Sequence, residues 1–396
     1  MKKRILFLGA GFLQSFVIKR AKSLGYYVYA IDKKEDSVGF EYADEFKTID
    51  IVDQEACLKY AKEIQVNGVV TVATDYGVLS AAYISEKLNL PSIDYDIAYL
   101  IKNKYEVRKR LNQCHTNNKK ACFLIRSVEE IQQYSNRITY PVIVKPCDGS
   151  GSRGITKVDC FANLQKACEQ ALDSSMTGKA YIESFIVGQE YGVEAFVVND
   201  EVHVLAILGK LMTPSPDHAE LGHFYDTKLT IKEKIKCYIK DAINCLGINF
   251  GAINMDILVT EENVIHIVDI GARMGGNLIG SHIIPYGVGY DYMGNIIRAS
   301  VGDRIVVESM GHKKKVATRI LALTPGSIID LPDFEDIQTK YDVDIFHHLK
   351  IGDTISMYHD NLDGCGYVLA VSDDVDEANQ RVEHVKNLID TLIVRA

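Results

Sequence analysis

At 396 residues the chain exceeds what one hydrophobic core usually organises, so two or three domains are expected. Its 47% hydrophobic and 24% charged residues are those of an ordinary soluble globular protein, and a net charge of −9 argues against a protein built around nucleic-acid backbones. No apolar run approaches the roughly 18–20 residues needed to cross a bilayer, and nine scattered cysteines without CxxC pairs or Cys/His clusters argue against a disulfide scaffold or a structural zinc site and for a cytoplasmic protein with small-molecule partners.

The first 32 residues read as strand, glycine turn, helix and strand. An apolar run from Ile5 to Leu8 enters Gly9-x-Gly11, and a second run from Val28 closes on Asp32. A dinucleotide site needs a third glycine three residues after the second, and that position is Gln14. The fingerprint is therefore partial. Short apolar runs at 4–8, 27–31 and 69–72 alternate with helical stretches at 54–65 and 77–88, the pattern of a parallel α/β sheet. A proline turn, an Asp94 or Asp96 cap and a basic amphipathic helix follow. Beyond residue 120, strand-like runs at 122–126, 142–145, 155–158, 180–186, 191–198 and 202–208 crowd together around a helix at 160–172. A helix over 231–246 is read from one apolar face (Ile231, Ile235, Ile239, Ala242, Leu246). Strands at 253–259 and 264–270 come next, and the last 90 residues carry strands near 316–323, 342–346, 353–358 and 366–371 before a closing helix near 375–392.

The most specific stretch is PVIVKPCDGSGSRGIT, residues 141–156. Its glycines and serines form a loop whose backbone amides can surround phosphate oxygens. Lys145 precedes the loop at a strand end and strand-like residues follow it, so this is a strand-loop-strand flap and not a Walker loop. Further on, Glu183, Glu190 and Glu194 punctuate strand-like runs; Glu183 with the backbone after it suits an adenine edge, and Glu190 suits ribose hydroxyls. Asp256 and Asp269 lie within two apolar runs joined by TEEN, where a carboxylate is costly unless paired or bound to a metal. If the runs form a hairpin with Val259 opposite Val264, Asp256 faces Ile267 and Asp269 lies two residues further on, with α-carbons roughly 7–8 Å apart on one face. A slip of one residue would put the two carboxylates on opposite faces. Side chains so placed can bridge Mg²⁺ ions, and Arg273 beyond them can reach a phosphate or a carboxylate.

Lys104 in NKYEVRKRL, Lys145 before DGSGSRG, the E-S-F-I of 183–186, Glu190, Asp256 and D-x-x-x-R at 269–273 together resemble the ATP-grasp superfamily of carboxylate ligases. The resemblance implies an α/β (α+β overall) ATP-grasp fold. A Rossmann-like domain would span 1–110, an ATP-grasp domain 111–304 with its lid at about 115–185, and a small mixed domain 305–396. It further implies Lys104 and Lys145 on ATP phosphates, Gly149, Ser150, Gly151 and Ser152 in the flap, Glu183, Ser184, Phe185 and Ile186 around adenine and Glu190 on ribose. Asp256 and Asp269 become ligands of Mg²⁺ or Mn²⁺, and Arg273 and Lys145 the catalytic pair. Lys210, Glu220 and His223, in a polar loop after a strand, would serve the acceptor, as would Asn277 and Ser281; Gly11 and Gln14 move from dinucleotide contact to substrate contact. One departure stands out: many members have Asn where this chain has Gly271, so one metal contact is missing or supplied by water. The implied activity is ADP-forming ligation of a carboxylate to an amine through an acyl phosphate, by an amino-acid or peptide-type enzyme, as a homodimer. A phosphoribosylglycinamide-synthetase-like or carboxyphosphate-forming enzyme is the alternative within the class. An NAD-dependent oxidoreductase and a catalytically silent ATP-binding protein are the readings from other classes.

Overall fold

The computed structural model describes residues 2–114, 119–148, 153–214, 219–226, 229–306, 311 and 313–396. At the N-terminus, β1 (Arg4–Leu8), β2 (Tyr27–Asp32), β3 (Glu45–Thr48) and β4 (Gly68–Val70) form a parallel sheet in the order β3-β2-β1-β4. Helices α1 (Phe12–Ser23) and α2 (Gln54–Glu63) cross from β1 to β2 and from β3 to β4, and α3 (Val78–Leu88) follows the last strand. At the end of β1, Gly9 takes φ +96, a conformation that favours glycine, and lets the chain turn into α1.

The basic helix expected after residue 95 is two helices, α4 (Tyr95–Lys102) and α5 (Lys104–Cys114). Asn103 breaks them apart because its side chain accepts from the Glu106 amide at 3.1 Å, a cap for the second helix. The same break lets the Lys104 amide donate to the Cys147 carbonyl at 2.8 Å, which ties the start of α5 to the strand that carries Lys145.

β5 (Cys122–Ile125), β6 (Val142–Pro146), β7 (Thr156–Val158) and β8 (Ala180–Ser184) pair antiparallel in the order β5-β8-β6-β7. Behind them α6 (Leu164–Ser174) buries Leu164, Ala167, Cys168 and Ala171. β9 (Gln189–Val198), β10 (Glu201–Met212), β11 (Glu220–Tyr225), β12 (Gly251–Val259) and β13 (Ile265–Gly271) build the large sheet, with α7 (Lys232–Leu246), α8 (Ile284–Val288) and α9 (Tyr292–Ser300). The expected face of α7 is buried at Ile235, Ile239, Ala242 and Leu246, and Gly247 at φ 74 ends the helix.

The last region supplies β14 (Lys315–Ile320), β15 (Gly326–Asp330), β16 (Asp344–His347), β17 (Thr354–Ile355), β18 (Gly366–Ser372) and β19 (Val394–Arg395), with α10 (Phe334–Tyr341) and α11 (Val375–Leu392). Three of these strands continue the large sheet, whose order is β13-β12-β9-β10-β11-β14-β18-β16. One hydrogen-bonded sheet therefore carries the C-terminal region to the cavity described below. Sequence spacing predicts no disulfide scaffold, yet Cys114 and Cys245 are joined, linking the ends of α5 and α7. Among the described residues no helix is long and apolar enough to cross a membrane.

Candidate active site

A cavity of about 580 Å³ lies where the N-terminal sheet, the β5-β8-β6-β7 sheet and the large sheet meet. That volume suits a nucleotide-sized ligand. Its wall on β6 and β8 is built on a buried charge cluster. Glu183, 3% exposed, accepts from Lys145 at 3.0 Å and from Arg108 at 2.8 Å, so both of its carboxylate oxygens are engaged. Burial alone would raise its pKa, but Arg108 and Lys145 outweigh that and hold the carboxyl far below the ordinary range. Glu183 thus positions Lys145 and is not the free adenine contact expected of it. Ser184, Phe185 and Ile186 do line the cavity, and the Lys157 ammonium lies 5.0 Å from the centre of the Phe185 ring.

On the opposite wall Asp256 and Asp269 face each other directly, in place of the expected diagonal. Val259 pairs with Ile265, one residue out of the expected register, which alone would put the carboxylates on opposite faces. A bulge at Val268 restores the shared face, because the partner of Asp256 jumps from the residue after Ile267 to Asp269. Lys104 pairs with Asp269. Lys210 reaches Glu190 at 2.8 Å, Glu220 at 2.7 Å and Asp256 at 2.8 Å. Burial, reinforced by Glu220 and Glu190, pushes the Asp256 carboxyl up despite Lys210.

Arg273 is fixed by a chain of partners absent from the sequence reading. Its guanidinium donates to both carboxylate oxygens of Asp75, at 3.0 and 3.3 Å, and to Asn254 at 3.1 Å. Asn254 in turn donates to Glu194 at 2.7 Å, and Glu194 also accepts from the Gly275 amide and the Tyr292 hydroxyl. Burial raises Glu194 to about 7. Gly271, where many family members have Asn, adjoins this pair: a Cβ there would stand 3.0 Å from an Asp75 carboxylate oxygen. The missing side chain leaves room for Asp75 to hold Arg273. Asp75 follows β4, and ligand sites of α/β sheets lie beyond the carboxyl ends of strands, a signal that could have found it.

Lys210, Glu220 and His223 sit on β10 and β11 and not in the expected polar loop. Glu220 accepts from Asn361 at 3.0 Å and from Asn277, whose own carbonyl accepts from the Tyr367 hydroxyl at 2.9 Å. Burial keeps His223 neutral, with its pKa lowered to about 4, and its Nδ1 has no partner among the described residues. Three expected substrate residues stay outside the lining. Gln14 donates to the Val72 carbonyl at 2.9 Å and covers Gly11, and Ser281 is paired with His282. Asp32 accepts from the Ala10 and Lys34 amides, a turn role that leaves a dinucleotide reading without support. Gly149, Ser150, Gly151 and Ser152 lie outside the described residues.

Residues 138–281 match the ATP-grasp domain family, and residues 319–392 match the L-amino acid ligase C-terminal domain 2. A formate-dependent phosphoribosylglycinamide formyltransferase of Prochlorococcus marinus is 28% identical over 177 residues, 44% of this chain and 45% of that protein. The chain spans about half the length of the curated relatives it matches. An L-amino acid ligase from Bacillus licheniformis shares the fold at TM-score 0.83 and 18% identity over 98% of this chain and 97% of that one. Phosphoribosylglycinamide synthetase from Anaerococcus prevotii does so at TM-score 0.80 and 23% identity over 100% of both chains. With the ordered motifs gathered around one cavity and the family match at its centre, residues 138–281 are an ATP-grasp domain, and the chain as a whole shares the fold of these ligases.

Proposed function

We propose that the protein is an ADP-forming ligase that joins the carboxylate of one amino acid or short peptide to the amine of another. The observation that carries this reading is the shared wall of the cavity. Lys104, Lys145 and Arg273 line one part of it, and Asn361 and Tyr367, from the region that matches an L-amino acid ligase domain, line another. That sharing favours an amino-acid ligase over the purine-pathway alternatives.

Asp256 and Asp269 are the residues that would hold Mg²⁺ or Mn²⁺. The pair fits such an ion as two donors only: Asp256 and Asp269 are cross-strand partners on one face, so a single ion could take an oxygen from each. Among the described residues no group of three or more His, Cys, Asp or Glu forms a closed metal site, so phosphate oxygens and water would complete the shell. When bound, the ion would neutralise charge on the ATP phosphates. In the first step a substrate carboxylate oxygen attacks the γ-phosphorus and the bond to the ADP oxygen breaks. The amine nitrogen then attacks the acyl carbon, phosphate leaves, and the nitrogen loses a proton. Lys104 and Lys145 hold the phosphates, Glu190 the ribose, and Arg273 the acyl phosphate, so the protein contributes position and charge.

A phosphate-release assay over pairs of amino acids and dipeptides, with mass spectrometry of each hit, tests the proposal. ADP, phosphate and an amide are expected, and AMP with pyrophosphate would sink it. Asp256→Asn and Asp269→Asn should each lower turnover by about 100-fold or more and raise the Mg²⁺ concentration needed for half-maximal rate. ATP binding without turnover on any pair would point to the silent ATP-binding alternative.

A further inference from the structure

Three buried cations surround Glu183, and only two are bonded to it. Arg108 and Lys145 occupy its oxygens. Lys120, 8% exposed, lies beside them and lines the cavity, yet among the described residues nothing is hydrogen-bonded to its ammonium. Its backbone is held from both sides: the Lys120 amide donates to the Asn112 side chain at 3.0 Å, and that side chain donates to the Lys120 carbonyl at 2.8 Å. The position is therefore built, and an ammonium in a largely buried residue that opens only on the cavity is set to take its partner from a ligand. Burial, with Arg108 adding to it, pushes this ammonium down to about 7.

The place of Lys120 in the cavity indicates what would pair with it. Ala121, next in the chain, accepts from the Ser184 amide at 3.4 Å, which sets Lys120 alongside the 184–187 segment. Around that segment the lining is apolar, with Ile143, Phe185, Val187, Leu258 and Val268. A flat heterocycle fits such walls better than a phosphate does. We propose that Lys120 reads the nucleobase, its ammonium donating a hydrogen bond to a ring nitrogen of the base. This rests on the reading of the cavity as an ATP site, in which residues 184–186 flank adenine.

Calorimetric titration of the full chain and of Lys120→Met with MgADP and with tripolyphosphate tests the assignment. Tripolyphosphate carries the phosphate charge but no base. MgADP should bind the variant about 10- to 100-fold more weakly, the span of one lost charge-assisted hydrogen bond, while tripolyphosphate changes less than 2-fold. One of 1-deaza-, 3-deaza- or 7-deaza-ADP should bind the wild type as weakly as ADP binds the variant, and the variant should no longer distinguish it from ADP. Thermal unfolding of Lys120→Met should fall at or above the wild-type temperature, because the change removes an unpaired buried charge. Unchanged ADP affinity, equal losses for ADP and tripolyphosphate, or deaza analogues that all bind like ADP would each overturn the assignment. Wild-type protein that binds neither ADP nor ATP would overturn the ligase reading along with it, a different result from loss of the Lys120 effect alone.

Discussion

Replacing Glu183 with alanine is expected to lower the unfolding free energy by about 3–5 kcal/mol. The carboxylate and its partners are out of water: side-chain exposure is 3% for Glu183, 7% for Arg108 and 5% for Lys145. Removing the anion leaves both cations, with Lys120 beside them, uncompensated in a medium where water cannot screen them. The pH dependence follows from the sign of the shift. Arg108 and Lys145 hold the Glu183 carboxyl below its ordinary 4.5 against the opposing effect of burial. A depressed carboxyl contributes stability that is fully present above the unfolded pKa and is lost as pH falls through the folded one. The titration of Glu183 itself therefore closes the gap between wild type and Glu183→Ala only in strong acid, below the unfolded value of about 4.3, while Lys120, lowered to about 7 against the opposing pull of Glu183, should widen the gap as pH falls from about 8 to 5.5. Urea unfolding of both proteins at pH 7.5, 5.5 and 4 measures it. A gap under about 1 kcal/mol at pH 7.5 would mean that the cluster is hydrated or rearranges.

Local patterns carried the expectations that the structure meets. The spacing of Ile235, Ile239, Ala242 and Leu246 set the buried face of α7, and alternating apolar runs anticipated the parallel sheet of β1 to β4. Spacing could also place Lys145 at a strand end beside the cavity, since strand-loop-strand order needs no distant contact. What remained hidden depended on the third dimension. The apolar pattern predicts a regular hairpin for Asp256 and Asp269, whereas a shift of one residue and a bulge at Val268 offset each other. The face shared by the carboxylates was right for a reason the pattern does not contain. Asp75 meets Arg273 across 198 positions of chain, and Arg108 meets Glu183 across 75. Arg108 stands four residues after Lys104 on α5, so helical spacing puts both on one face and would have offered it as a companion. A motif position need not be a ligand position: the Gln14 amide donates to the Val72 carbonyl and the residue stays outside the cavity lining.

On the proposed ligase mechanism, Arg273→Met is expected to lower kcat/KM by about 10²–10³-fold, since it would remove a preorganised donor for the charge of the acyl phosphate. Asp75 and Asn254 fix three of the guanidinium contacts, and burial is outweighed by Asp75 so that the group stays charged at any working pH. Arg273→Lys should not restore activity, because a single ammonium cannot hold both Asp75 oxygens and Asn254 while also facing the cavity. Asp75→Asn separates aim from charge. It keeps an acceptor for the guanidinium but removes the bidentate anion, so the arginine is retained and less tightly oriented, and the loss should be smaller, about 10-fold, and carried by kcat. Steady-state kinetics with ATP and the best amino-acid pair, fitted for kcat and KM separately, discriminate these cases. If Arg273→Met stays within about 5-fold of wild type, the arginine is only a clasp between the N-terminal sheet and β13. If Asp75→Asn falls as far as Arg273→Met, the pair acts as one unit, and Asp75 belongs to the site as much as the arginine it holds.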